Sequence, residues 1–190
     1  MATTQHRPTG LDALGSPTVR RMAIANGTAM VLGFVPMARW ERRMRATGGP
    51  GIVGLQLARD STAAAAVLET WGPDGRRAAT EQTWADFAWM LTYGMAGVSA
   101  AELARRRSTK DSGWDRIGRA LRWGPAAAVA CDVLEGVGLL RTLAAWPHTE
   151  DAMVRATRAA ATSKYVLLLG TAAWAAGAAT LGARGERQSA

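Results

Sequence analysis

The sequence predicts an all-α protein, specifically an integral-membrane four-helix bundle with an additional surface helix between the first and second spans. Apolar residues make up 48% of the 190-residue chain, alanine and glycine are abundant, and β-branched runs and period-two alternation are scarce. Four stretches of 17 or 18 residues carry almost no charge: Met22–Ala38, Trp84–Ala101, Trp123–Leu140 and Tyr165–Gly182. A bilayer-crossing helix needs about 20 mostly apolar residues, so these runs are of spanning length. Trp40, Trp84, Trp123 and Trp146 stand at or near the ends of such runs, where interfacial aromatic residues are expected.

Taken in order, residues 1–20 are polar and rich in Pro, Gly and Thr, with no apolar core of a cleavable signal, and read as a mobile N-terminal tail. Residues 21–183 form the expected four-span domain and residues 184–190 a C-terminal tail. Met22–Ala38 gives the first span. LQLARDSTAAAAVLETWG reads as the surface helix, with an Asp60/Ser61 start signal and a stop at Gly72-Pro73. No proline interrupts the chain from Gly75 to Arg105, so one helix carries the second span, with only Asp86 charged within Trp84–Ala101. The segment 104–122 holds seven basic residues and is expected on the cytoplasmic side, which places both termini there in a multi-pass protein of the cell membrane. The third span contains Asp132 and Glu135; the fourth has no charge in 18 residues, with Gly170, Ala173, Gly177 and Ala178 allowing close helix approach.

Lys plus Arg number 23 against 15 Asp plus Glu, and all but two of the bases are arginine. The arginines flank apolar runs rather than striping one surface, and no nucleic-acid motif accompanies them, so nucleic acid is not an expected partner. A single cysteine, Cys131, excludes an intrachain disulfide, and two distant histidines argue against a metal site. Phosphate loops, dinucleotide fingerprints, zinc-protease helices and nucleophile elbows are all missing from the sequence, and no cofactor is expected.

The chemistry-bearing residues lie within the apolar runs. Asp132 and Glu135, at i and i+3, share a helix face within about 6 Å of each other. Two such acids in a low dielectric cannot both ionise cheaply, so one of them should keep its proton near neutrality. Asp86, Trp89, Tyr93 and Gly97 share a face of the second long helix, as do Lys164, Leu168, Thr171 and Trp174 of the last. If these faces meet, carboxyls, an amine and aromatic rings enclose one pocket. The alternative is a structural network in which Lys164 and Arg141 neutralise the acids.

The succession LQLA, LETWGPDGRRAA, DFAWMLTYG, CDVLEGVGLLR and SKYVLLL, over roughly residues 50–175, resembles small four-span membrane proteins of actinobacteria. A subset of these are the drimentine-type membrane-bound indole-terpene cyclases. The matching residues are Trp71, Gly72, Asp86, Tyr93, Asp132, Glu135 and Lys164; Gln56 and Gly136 depart from the pattern, which has Glu and Asn there. The resemblance implies a membrane-bound terpene cyclase, an isomerase- or lyase-type enzyme of natural-product biosynthesis. It would protonate an alkene or epoxide of a prenylated indole or other aromatic and guide the resulting carbocation.

On this reading Asp132 and Glu135 form the acid pair and Asp86 is a second acid or the final base. Trp89, Tyr93, Trp174, Trp84 and Lys164 line the substrate cavity. The expected partners are a hydrophobic prenylated small molecule, the lipid bilayer and possible further copies of the chain. Two other functions fit the same residues: a non-catalytic membrane partner or assembly protein with structural ion pairs, and a small proton-coupled transporter.

Overall fold

The computed structural model describes residues 10–188, with side chains described through residue 180. All the regular elements among them are helical. A short 3-10 turn at Gly10–Ala13 leads into α1 (Ser16–Ala46), followed by α2 (Ile52–Gln56), α3 (Ser61–Arg107), α4 (Gly113–Leu121), α5 (Gly124–Ala145) and α6 (Asp151–Gln188). The four long helices α1, α3, α5 and α6 make the bundle, with α3 at its centre: α1 packs along α3, α5 along α6, and α3 against both.

The local signals act as their chemistry requires. The Asp60 carboxylate accepts from the Ala63 N–H at 2.8 Å and caps α3. Ser112 does the same for α4, accepting from Asp115 N–H. At Gly72 (φ 59°, ψ −168°) α3 kinks, because Pro73 has no N–H to continue the ladder and only glycine takes that backbone geometry cheaply. The Leu68 carbonyl at this kink accepts from Arg76 Nη1 at 2.9 Å.

The arm of α3 before the kink is not a surface helix. Ala64, Leu68 and Trp71 are buried in a core with Met44, Leu55, Ala78, Leu139 and Val154, and Trp71 Nε1 donates to the Pro50 carbonyl at 2.6 Å. A second, smaller core of Ala101, Ala104, Trp174 and Ala178 lies towards the α4 end. The N-terminal segment is tied down from Gly10 onward: Asp12 meets Arg105 and Arg122, and Val19 is fully buried. Of the expected tail over 1–20, residues 10–20 hold the 3-10 turn and the start of α1, and residues 1–9 lie outside the described part. At the other end α6 continues through residues 184–188, expected as tail.

The membrane-spanning architecture is corrected too. Among the described residues no helix is long and apolar enough to cross a membrane, which removes the basis for a multi-pass localisation with cytoplasmic termini. Freedom from charge is a weaker property than hydrophobicity. Met22–Ala38 is diluted by Asn26, Gly27, Thr28 and Pro36, α5 carries two acids, and the charge-free run of α6 is dominated by Ala, Gly and Thr. Mean hydropathy of the chain is −0.04. Nor do the tryptophans form one belt. Trp84 and Trp123 are exposed, but Trp40 donates to Glu81 Oε2 at 3.0 Å, and Trp146 packs on the first core beneath Arg76.

Candidate functional site

Between the two cores the bundle opens into a cavity of about 1080 Å³. Helix α3 forms its floor and α1 and α6 its walls; these two helices barely touch each other, so space remains between them. Ligand sites are typically about 300–1,000 Å³, mostly apolar, with a few placed polar groups, and this cavity has that character at a volume just above the range.

Asp86, Trp89, Tyr93 and Gly97 all reach the cavity from α3, as their helical spacing predicts. Lys164, Leu168 and Thr171 reach it from α6 and Asp132 from α5. Two expected lining residues do not. Trp174 turns into the second core, its ring against Gly118, leaving Ala172 and Ala175 at the wall. Trp84 is 63% exposed, its ring tilted against that of Phe87 with centroids 5.7 Å apart.

The acid pair is engaged. Lys164 Nζ lies 2.8 Å from Asp132 Oδ1, to which it donates, and 2.7 Å from Glu135 Oε2. The Glu135 contact is an ion pair without hydrogen-bond alignment. Asp132 also accepts from the Tyr93 hydroxyl at 2.5 Å. Glu135 is buried behind this cluster and does not line the cavity. Arg141, the other expected counter-ion, is exposed and forms no ion pair among the described residues. The neutralising cation is therefore Lys164.

Three carboxyls and one ammonium share this region, so not every acid can be compensated. Burial pushes Glu135 up to about 7, with the Lys164 charge opposing the rise and Asp132 adding to it. Burial likewise raises Asp86 to about 7, reinforced by the charges of Asp132 and Glu135 and opposed by Lys164. Tyr93 is raised by burial and by its bond to Asp132, and stays a neutral donor. Lys164 is raised because the two carboxylates outweigh its desolvation, and stays an ammonium.

Asp86 differs from its neighbours. It faces the cavity, has no hydrogen bond or ion pair among the described residues, and sits where its proton is half-held at neutral pH. Beside it Trp89 is fixed by donating to the Met30 carbonyl at 2.8 Å and by an edge-to-face contact with Tyr93 at 5.3 Å. Across the cavity the Tyr165 hydroxyl donates to Gln56 Oε1 at 3.0 Å.

The contribution of α1 is not among the sequence-based candidates. Met30, Phe34, Met37 and Glu41 line the wall at intervals of three and four, the same helical spacing that marks the α3 face. That signal is present in the sequence but is masked by the uniformly uncharged surroundings. No group of His, Cys, Asp and Glu among the described residues is arranged to hold a metal ion. Comparison with known proteins finds no matching family model, no matching curated protein and no matching solved structure.

Proposed function

We propose that the chain is a protonation-initiated terpene cyclase acting on a prenylated substrate held in the α1/α3/α6 cavity, with Asp86 as the proton donor. The observation that carries this reading is the Asp86 carboxyl, unpaired, facing an apolar cavity, and raised to about 7. A general acid works best with a pKa near the working pH. Asp132 and Glu135, the acid pair of the sequence reading, take the structural role instead, because Lys164 and Tyr93 occupy them.

The steps balance without a cofactor. An alkene π pair takes the Asp86 proton to form a C–H bond and leaves a carbocation; with an epoxide, oxygen takes the proton and a C–O bond breaks. A second π pair attacks the cation and closes a ring. A final C–H pair becomes a new double bond, and its proton returns to the Asp86 carboxylate. Product and substrate have equal mass. Trp89, Tyr93 and Phe34 offer ring faces to the cation, worth about 2 kcal/mol each when desolvated. The mostly apolar lining offers few groups that would hold quenching water beside the cation.

The test is incubation of purified protein with prenylated aromatic alkenes and epoxides, followed by mass spectrometry. An isomer of unchanged mass is expected, carrying one deuteron from deuterated buffer in the alkene case. Asp86→Asn should abolish it without lowering the melting temperature. Equal turnover by Asp86→Asn overturns the acid assignment. Tight binding with no isomer from any substrate would make the protein a carrier of apolar molecules.

A further inference from the structure

The cavity is chemically polarised along its length, which gives a bound molecule a direction. At the α2 end its wall carries Arg42 and Arg45 of α1 and Gln82 of α3. At the other end Ala96, Gly97, Ala100 and Ala101 of α3 face Ala172 and Ala175 of α6. From Gln82 to Ala101 the floor runs about 28 Å at 1.5 Å per residue. Asp86 lies one helical turn from the polar end.

The charges at that end do not cancel. Glu41 accepts from Arg45 Nε at 2.7 Å and from the Ile52 N–H at 3.0 Å, so both Glu41 and Arg45 are engaged. Arg43 is taken by Glu81 at 2.9 Å. Arg42 has no ion pair or hydrogen bond among the described residues, although it borders the cavity. Gln82 Oε1 is buried without a hydrogen-bond partner on the same wall. A buried amide group left unsatisfied costs free energy that a ligand can recover. The Arg42 guanidinium, on an exposed residue that borders the same cavity, sets the sign of that ligand's headgroup, because it offers a fork of donors to phosphate or carboxylate oxygens.

We infer that the cavity takes an amphiphile with an anionic headgroup, a phosphate ester or a carboxylate, seated on Arg42 and Gln82. Its prenyl tail runs past Asp86 into the alanine-lined trough. This rests on the cavity being the ligand site of the proposed function, and it specifies which prenyl compounds enter and in which direction. The Gln82 amide, turned over, presents its N–H groups to a headgroup oxygen. The trough is wide because its walls are alanine. Its floor is set by close packing, since a Cβ on Gly97 would lie 2.7 Å from Pro125.

Titration calorimetry tests this without requiring turnover. The probes are farnesyl phosphate, farnesoate and farnesol, with geranyl phosphate as the short-chain control. The wild type should bind an anionic probe about tenfold more tightly than farnesol. Arg42→Ala should abolish that advantage and leave farnesol unchanged. Ala96→Phe should weaken farnesyl phosphate but not geranyl phosphate, and Ala96→Leu is the second variant if the first fails to fold. Preference for phosphate over carboxylate, or the reverse, identifies the headgroup. Equal affinity for farnesol and both anions, retention of the advantage in Arg42→Ala, or no binding of any probe overturns the inference. Cyclisation of neutral prenylated aromatics by a protein that shows no preference for the anionic probes would overturn it while leaving the proposed function standing. Headgroup-dependent binding without any isomer would do the opposite.

Discussion

The Tyr93 hydroxyl donates to Asp132 Oδ2 across 2.5 Å, and this bond ties α3 to α5 at the level of the cavity. Both partners are buried, so the bond forms where water cannot replace it. Tyr93→Phe should cost about 1–3 kcal/mol, since it leaves a buried carboxyl acceptor with one donor fewer. Urea unfolding of the two proteins measures this, and an unchanged midpoint would show that Asp132 finds solvent on the cavity side.

Removal of Lys164 should be more severe. Lys164→Met leaves Asp132 and Glu135 facing each other uncompensated, a loss of about 3–5 kcal/mol for a broken buried ion pair. Glu135, whose pKa burial already raises, can relieve the repulsion by taking up a proton, so the loss should shrink as the pH is lowered. Adding Glu135→Gln to Lys164→Met should recover part of the stability. Thermal melts of the single and double variants across pH check both expectations.

Asp86 and Glu135 both hold protons in the fold that they would release when unfolded. Their pKa values rise from 3.8 and 4.5 to about 7, so the unfolded chain binds fewer protons between those limits. Stability should therefore fall as the pH rises from about 4 to about 7, and level off above. Asp86→Asn should remove part of that slope and Glu135→Gln the rest. On the proposed function, turnover should fall as the pH rises through about 7, because the donor would be the protonated Asp86. A slope unaltered by either substitution would place the titration elsewhere.

At the opposite end Glu102 is fully buried and bonded to Arg105, Arg106 and Arg122 at 2.7–2.9 Å. Burial alone would raise its pKa, yet the three guanidinium groups together bring it down to about 2. The stability it contributes should be complete above its ordinary value of 4.5 and be lost as the pH falls towards 2. Glu102→Gln should cost about 2–3 kcal/mol, at the low end for a buried network because Arg106 and Asp12 are partly hydrated. Urea midpoints at neutral and acid pH measure both effects.

Gly33 sets the position of Trp89. A Cβ at residue 33 would stand 2.5 Å from Trp89 Cδ1, too close for a rigid indole to remain. Gly33→Ala should push the ring from its seat on the Met30 carbonyl and cost about 1–3 kcal/mol by overpacking. Ligand affinity should fall with it. A crystal structure of the variant with Trp89 unmoved would refute the account.

Helix character, the Asp60 cap and the break at Gly72-Pro73 were legible in the sequence, because each depends on neighbouring residues along the chain. The same holds for the face shared by Asp86, Trp89, Tyr93 and Gly97, which helical periodicity fixes. The environment around those helices was not legible. Long uncharged runs look alike whether lipid or other helices cover them, and their content of Ala, Gly, Thr and Asn had to be weighed as hydrophobicity rather than as lack of charge.

Only tertiary structure decided which acid is free. By spacing alone Asp132 and Glu135 are the stronger pair, and Asp86 is a lone carboxyl. The packing of α6 against α5 places Lys164 between that pair, and α3 leaves Asp86 facing open space, because the partner of a charge is chosen by helices distant in sequence. The same packing sends Trp174 into a core and brings α1 to the cavity wall. Residue types and helical faces are properties of the chain; pairing, solvation and therefore proton affinity are properties of the fold.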